Sequence, residues 1–224
     1  MPPIAGVAHG AMVLRDTMLE DMTIEEMNAV IRPKVIGSIN LNDLFSNTQL
    51  DFFIFLSSAI GITGNVGQCN YAVANIFMHG LAAKRRKNGH AASVIVIGVI
   101  LGVGYVTRET SQSLQDNLEK LGHNWMSERD FHILFGEAIR DGSASSPYSS
   151  EIVVGLKTIR RGVDQIPPWA GNPRFSHLIL QSEDGGTTAR TSNEKIPLRT
   201  KFLEASSVQE IYEAFRGKFY STNF

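Results

Sequence analysis

The chain has 224 residues, 43% hydrophobic and 19% charged, which is enough for one good core plus a tail and too apolar for a disordered protein. A formal net charge of −1 sets up no field favouring nucleic acid or an anionic membrane, and the single cysteine, Cys69, excludes an intramolecular disulfide and a cysteine-based metal cluster. Met1 to Asp16 lacks the basic and apolar regions of a secretory signal, and no apolar stretch reaches the roughly 20 residues of a membrane span, so the expected setting is cytoplasmic.

In chain order, Ile4 to His9 reads as a short buried strand. Thr23-Ile24-Glu25-Glu26 is a capping box, opening a helix that runs to about Phe45 with Met27, Val30, Ile31, Val35, Ile39 and Leu41 on its apolar face. Pro33 lies inside that run and should kink it or join two helical pieces. Asp51 to Leu56 is the next strand, Gln68 to Lys87 a helix stopped by Gly89, and Ala92 to Ile97 a β-branched strand. Two more helices are expected over Thr110 to Leu121 and Glu128 to Arg140, and a final strand over Glu151 to Leu156. Strands alternating with helices predict an α/β fold: a Rossmann-like parallel sheet with helices on both faces.

Beyond Arg161 the pattern breaks into turn-rich Pro167-Pro168-Trp169 and Asn172-Pro173-Arg174, a polar linker from Ser182 to Lys195, and a last helical stretch from Phe202 to Phe219. Nothing before Ile4 supplies the glycine-rich phosphate turn that opens a nucleotide-binding sheet, so the sheet is expected to start in its middle, as the second half only.

The chemistry gathers at the segment from Ser57 to Asn75. An apolar strand ends at a hydroxyl, where open α/β sheets place their sites, and a glycine-rich turn leads into a helix bearing Tyr71 and Asn75 on one face. Reducing a ketone takes a hydride donor, a proton donor for the emerging alkoxide and groups that polarise the carbonyl. Ser58 can hold the carbonyl oxygen. Tyr71 can give the proton if a cation lowers its pKa from about 10. Lys34 on the preceding helix is the available cation, and Asn75 can fix a water or the lysine. Lys34 lies 24 residues before Ser58, Ser58 lies 13 before Tyr71, and Asn75 lies 4 after it.

With these residues the chain resembles the C-terminal, catalytic half of the ketoreductase (KR) domain of a fungal highly reducing polyketide synthase, a branch of the short-chain dehydrogenase/reductases. In that branch the lysine and asparagine are exchanged relative to the wider superfamily, and Lys34, Tyr71 and Asn75 match the exchanged arrangement. Arg32-Pro33-Lys34-Val35-Ile36-Gly37-Ser38 resembles the lysine segment, and Gly6-Val7-Ala8-His9-Gly10-Ala11 the segment beside the cofactor. Gly10 to Asp16, Met126-Ser127-Glu128 and Asn172 to His177 are similar to the fungal type, including its hybrids with peptide synthetases. Ser206 to Phe219 resembles the first helix of the following carrier domain.

The resemblance implies three parts: 1–160 as the catalytic part, 161–200 as linker and 201–224 as the start of a truncated acyl-carrier domain. It implies NADPH as cofactor, with His9, Gly10, Ala11, Gly98 and Val99 on the cofactor side and a mobile lid starting within Gly98 to Tyr105. The implied substrate is a β-ketoacyl chain on the phosphopantetheine of an acyl carrier protein. Other synthase domains, or the missing N-terminal half, are further implied partners. Leu14-Arg15-Asp16 with Thr63 implies a D-configured alcohol.

Plainer readings compete at each position. Lys34 alone is a solvated helix lysine, and Ser57 is assigned a structural role because Ser58 has the better spacing to Tyr71. His9 packs near the cofactor side, and the histidines show no metal-ligand pairing, so no metal site is expected. Lys84-Arg85-Arg86-Lys87 offsets a helix C-terminus instead of forming a nucleic-acid patch. Cys69 lacks the marks of an activated nucleophile, and Met12, Met18, Met22 and Met27 read as core filler or a lid lining. Two functions follow: a reductase part that is inactive alone for want of a phosphate loop, or a non-catalytic remnant or interaction module of a truncated synthase.

Overall fold

Apolar side chains at every position from Phe52 to Leu56 demand cover on both faces of a sheet. The computed structural model, which describes residues 2–101 and 120–180, supplies that cover. Four parallel strands form the main sheet in the order β1-β2-β3-β6: β1 (Gly6–His9), β2 (Phe52–Ser58), β3 (Ser93–Ile97) and β6 (Glu151–Val153). Phe53 and Phe55 point to one face with Val94 and Val96, where they pack on Met78 and Ala82. Ile54 and Ile95 point to the other, against Ala138 and Phe135. Phe53, Ile54 and Phe55 are each 0% exposed, and burying such a side chain contributes about 1.5–3 kcal/mol. The parallel α/β sheet with helices on both faces is as the periodicity predicted.

Helix α1 (Ile24–Ile31) starts at the expected capping box: the Glu26 amide donates to Thr23 Oγ1 at 3.1 Å, and the Thr23 amide donates to Glu26 Oε2 at 2.9 Å. Pro33 then marks a junction. Arg32–Ile36 forms a π-helical turn, closed by the Gly37 amide donating to the Arg32 carbonyl, before α2 (Gly37–Leu44) resumes. Proline has no amide hydrogen to give and its ring crowds the preceding turn, so the helix widens there instead of breaking. Lys34 sits in the middle of this wide turn.

The short helix α3 (Ile60–Thr63) and Gly64, at φ +74°, turn the chain from β2 into α4 (Cys69–Lys87), the longest described helix. Its C-terminal arginines serve packing. Arg85 lies 4.1 Å from the Phe53 ring centroid and donates to Asn42 Oδ1, while Arg86 donates to the carbonyls of Asp141 and Ser146. On the opposite face α5 (Glu128–Asp141) begins at a second capping box, Ser127 with Asp130.

Two short pairs lie outside the main sheet: β4 (Val99–Ile100) with β5 (Trp125–Met126), and β7 (Ile159–Arg160) with β8 (Ile179–Leu180). Two-residue strands are too short to leave a periodic signal in sequence. Strand β6 ends at Val153, short of the expected Leu156, because Gly155 turns to φ +91°. Residues 168–178 form two 3₁₀ turns, and Trp169 and Phe175 pack edge-to-face at 5.2 Å in a cluster that also touches Ile62 and Leu156. One compact unit extends over Met1–Ser182. The helix expected over 110–121 (apart from Lys120 and Leu121), the lid beyond 101, the linker over 182–195, the helix over 202–219 and the expected carrier segment over 201–224 lie outside the described residues.

Gly98, after β3, is held by the close approach of Gly155 after β6. A Cβ on Gly98 would meet the Gly155 Cα at 2.7 Å and the Asn124 carbonyl oxygen at 3.1 Å, both main-chain atoms that cannot swing aside. Gly98→Ala is therefore expected to destabilise the chain by about 1–3 kcal/mol, read as a lower denaturant midpoint at unchanged slope.

Candidate active site

The C-terminal ends of β2 and β3 open into a cavity of about 300 Å³. Ser58, Tyr71 and Lys34 line it together with Gly10, Met12, Gly98, Val99 and His123. A more open depression of about 780 Å³ lies around Gly122, Lys157, Arg160 and Asp164. Arg160 and Asp164 there are paired with each other, and the hydroxyl–phenol–lysine set faces the smaller cavity.

Each member is positioned by its local fold. Ser58 is the last residue of β2, and its Oγ accepts from the Ile60 amide at 3.3 Å. Tyr71 lies in the first turn of α4, 7% exposed, and its hydroxyl donates to Met12 Sδ at 3.4 Å. Burial pushes the Tyr71 phenol above its usual pKa, with Asn75 and Ser58 opposing the shift. Lys34, 3% exposed, donates from Nζ to the Leu56 carbonyl at 3.0 Å and stands 5.5 Å from the Tyr71 ring centroid. Burial lowers its pKa to about 8. The wide turn is braced by the Ser38 hydroxyl, which donates to the Lys34 carbonyl.

The other expected site residues fall in different places. Asn75 is fully buried one helical turn below Tyr71; its Nδ2 donates to the Tyr71 carbonyl at 2.8 Å and its Oδ1 has no partner. Gly10, Gly98 and Val99 line the cavity. His9 and Ala11 do not. His9 lies beneath the wide turn, with Nε2 3.4 Å from the Lys34 carbonyl and its ring edge-on to Phe55; burial lowers its pKa.

Reasoning from sequence missed three contributors. Ser57 Oγ and His79 Nε2 share a hydrogen bond of 2.9 Å, and His79 Nδ1 faces Glu151 Oε1 at 3.1 Å, a polar clasp joining β2, α4 and β6 behind Ser58. The signal was present: Tyr71, Asn75 and His79 recur every four residues on the buried face of α4. Met12 reads in the sequence, with Met18, Met22 and Met27, as core filler or a lid lining, and nothing local marks it as the acceptor for Tyr71. His123, 5% exposed, lies on the cavity wall and its Nδ1 is unpaired; it stands between elements, where no periodic pattern points to it.

The arrangement offers a carbonyl oxygen two hydroxyl groups, with an ammonium close behind one of them. The residues present also fit a flat nicotinamide ring. Gly10 and Gly98 present bare main chain, Leu56, Ile97 and Val99 give an apolar wall, and unpaired His123 Nδ1 lies on the same wall. Among the described residues no group of three or more His, Cys, Asp or Glu side chains gathers to hold a metal, and no helix is long and apolar enough to cross a membrane.

Comparisons agree with this geometry. Residues 1–102 match the KR domain family. The chain is 52% identical over 220 residues to the hybrid PKS-NRPS synthetase poxE of Penicillium oxalicum, covering 98% of the chain and 5% of that protein. It is 47% identical to the polyketide synthase-nonribosomal peptide synthetase pyiS of Pyricularia grisea, covering 98% and 6%. The chain thus spans about a twentieth of the length of these relatives. Among solved structures it resembles A-type ketoreductases from a modular polyketide synthase, with TM-score 0.61 and 26% identity over 69% of the chain and 31% of the other. It also resembles the ketoreductase from the first module of phoslactomycin biosynthesis in a Streptomyces species, with TM-score 0.59 and 29% identity over 69% and 34%. The parallel sheet, the cavity at its C-terminal edge and these matches lead to one assignment: the chain belongs to the ketoreductase (KR) domain family of polyketide synthases.

Proposed function

We propose that the chain supplies the ketone-binding and proton-donating part of an NADPH-dependent reductase that converts a carrier-bound β-ketoacyl thioester to the β-hydroxyacyl form in polyketide biosynthesis. The observation that carries this reading is the meeting of Lys34, Ser58 and Tyr71 in one cavity at the strand ends. NADPH, when bound, supplies the hydride. Gly10, Gly98 and Val99 would hold its nicotinamide end.

The protein's own groups do the rest. Ser58 Oγ and the Tyr71 hydroxyl hold the ketone oxygen, and Tyr71 passes its proton to that oxygen as charge builds on it. The raised phenol pKa keeps that proton in place at neutral pH. The Lys34 ammonium, 5.5 Å from the ring centroid, favours the phenolate left behind. Asn75 fixes the main chain of Tyr71 and turns an unpaired oxygen toward the interior, where a water of a proton relay can bind. The acyl chain arrives on the phosphopantetheine of an acyl carrier protein, and neighbouring synthase domains, or an N-terminal half of the domain, complete the cofactor site.

The test is consumption of NADPH with a β-ketoacyl-N-acetylcysteamine thioester. It is run on the chain alone and with the N-terminal part of a relative's KR domain added in trans, because the chain spans about a third of the solved ketoreductases. Formation of the β-hydroxy product in either setting supports the reading. Absence of product in both, with no NADPH binding, overturns it in favour of a non-catalytic module.

A further inference from the structure

The Tyr71 hydroxyl has one proton to give, and in this structure that proton is already engaged. Met12 Sδ accepts it at 3.4 Å from within the same cavity. A ketone oxygen in position to be protonated must take that same hydrogen bond, so the two acceptors exclude each other. Thioether sulfur is a weak acceptor, whereas a buried hydroxyl left with no partner costs about 1–3 kcal/mol. Met12 therefore keeps the phenol satisfied while yielding readily to a carbonyl.

The loop around Met12 is held at both ends, so the side chain and not the main chain has to move. Before it, β1 fixes His9 in the sheet. After it, the Arg15 carbonyl accepts from Asn70 Nδ2 at 3.0 Å, Asp16 Oδ2 accepts from Gln68 Nε2 at 2.9 Å, and the Thr17 amide donates to the Gly67 carbonyl at 2.9 Å. Methionine has three rotatable side-chain bonds for the purpose. It is 37% exposed, which leaves it space to swing.

We propose that Met12 is a place-holder and specificity gate: its thioether occupies the ketone's position on Tyr71 in the free site, and on displacement it packs beside the carbon next to the ketone, selecting against branching there. This rests on the reductase reading, so its test has an arm independent of that reading. In the first arm the ¹³C ε-methyl resonance of Met12, assigned by its loss in Met12→Leu, is followed in the chain alone. It is expected to move in Tyr71→Phe, and no movement overturns the contact whatever the function. In the second arm, Met12→Ala is expected to raise kcat/KM for a 2-methyl-3-ketoacyl thioester relative to the unbranched one by about 10-fold or more, mainly through KM, with Met12→Leu between it and the native chain. An unchanged ratio in a protein that reduces the unbranched substrate overturns the gate. If neither substrate is reduced by the chain alone or with the N-terminal part of a relative's KR domain added in trans, the reductase reading and the gate fall together, and the first arm judges the contact by itself.

Discussion

Tyr71→Phe is expected to lower reduction of a β-ketothioester by about a hundred- to ten-thousand-fold, the usual contribution of a positioned proton donor. The loss should fall on kcat, because phenylalanine keeps the ring against Lys34 and removes only the proton that passes to the alkoxide. Stability should change by no more than about 1 kcal/mol, because the hydroxyl donates to a thioether, a weak acceptor. Thermal unfolding of native and variant chains checks the second part, and steady-state kinetics the first. If Tyr71→Phe kept full activity, Tyr71 would not be the proton donor.

Lys34→Met is expected to move activity and stability in opposite directions. The ammonium is 3% exposed, and burial holds its pKa at about 8 against a usual 10.5, a gap worth about 3 kcal/mol of disfavoured charge. Because the folded-state pKa is the lower one, the whole penalty is present below about pH 8. Between about pH 8 and 10.5 the unfolded chain binds more protons than the folded one, so native stability rises with pH across that window. Methionine removes the penalty but leaves the Leu56 carbonyl without its 3.0 Å donor, which returns about 1–2 kcal/mol. A net gain of about 1–2 kcal/mol at pH 7 is expected, shrinking toward zero or below by pH 10.5. Reduction should fall together with the cation, and in the native protein it should decline above about pH 8 as Lys34 loses its charge. Denaturant titrations at several pH values and a pH–rate profile test both halves. A variant less stable than the native chain at pH 7 would contradict the buried-charge account.

The sheet was legible because its signals are strong: continuous apolar strands, capping residues and a proline that had to disturb its helix. Ser58, Tyr71 and Lys34 could be named because they belong to a spaced pattern that the family resemblance fixes. Met12, His79 and His123 could not be named in the same way. Met12 matters through Tyr71 and His79 through Ser57 and Glu151, partners far off in sequence, and His123 through its place on the cavity wall. His9 and Ala11, which the resemblance places beside the cofactor, do not line the cavity that holds Ser58, Tyr71 and Lys34; His9, the last residue of β1, lies beneath the wide turn instead.

The wide turn Arg32–Ile36 also limits how this domain can change in length. Each residue of a helix advances the side chains by about 100°. Loss of one residue between Val30 and Lys34 would turn Lys34 away from the face that buries Val30. A one-residue insertion or deletion between Val30 and Lys34 is expected to uncouple the cation from the phenol. The number of residues between Val30 and Lys34, as well as their identity, thus sets where the cation stands.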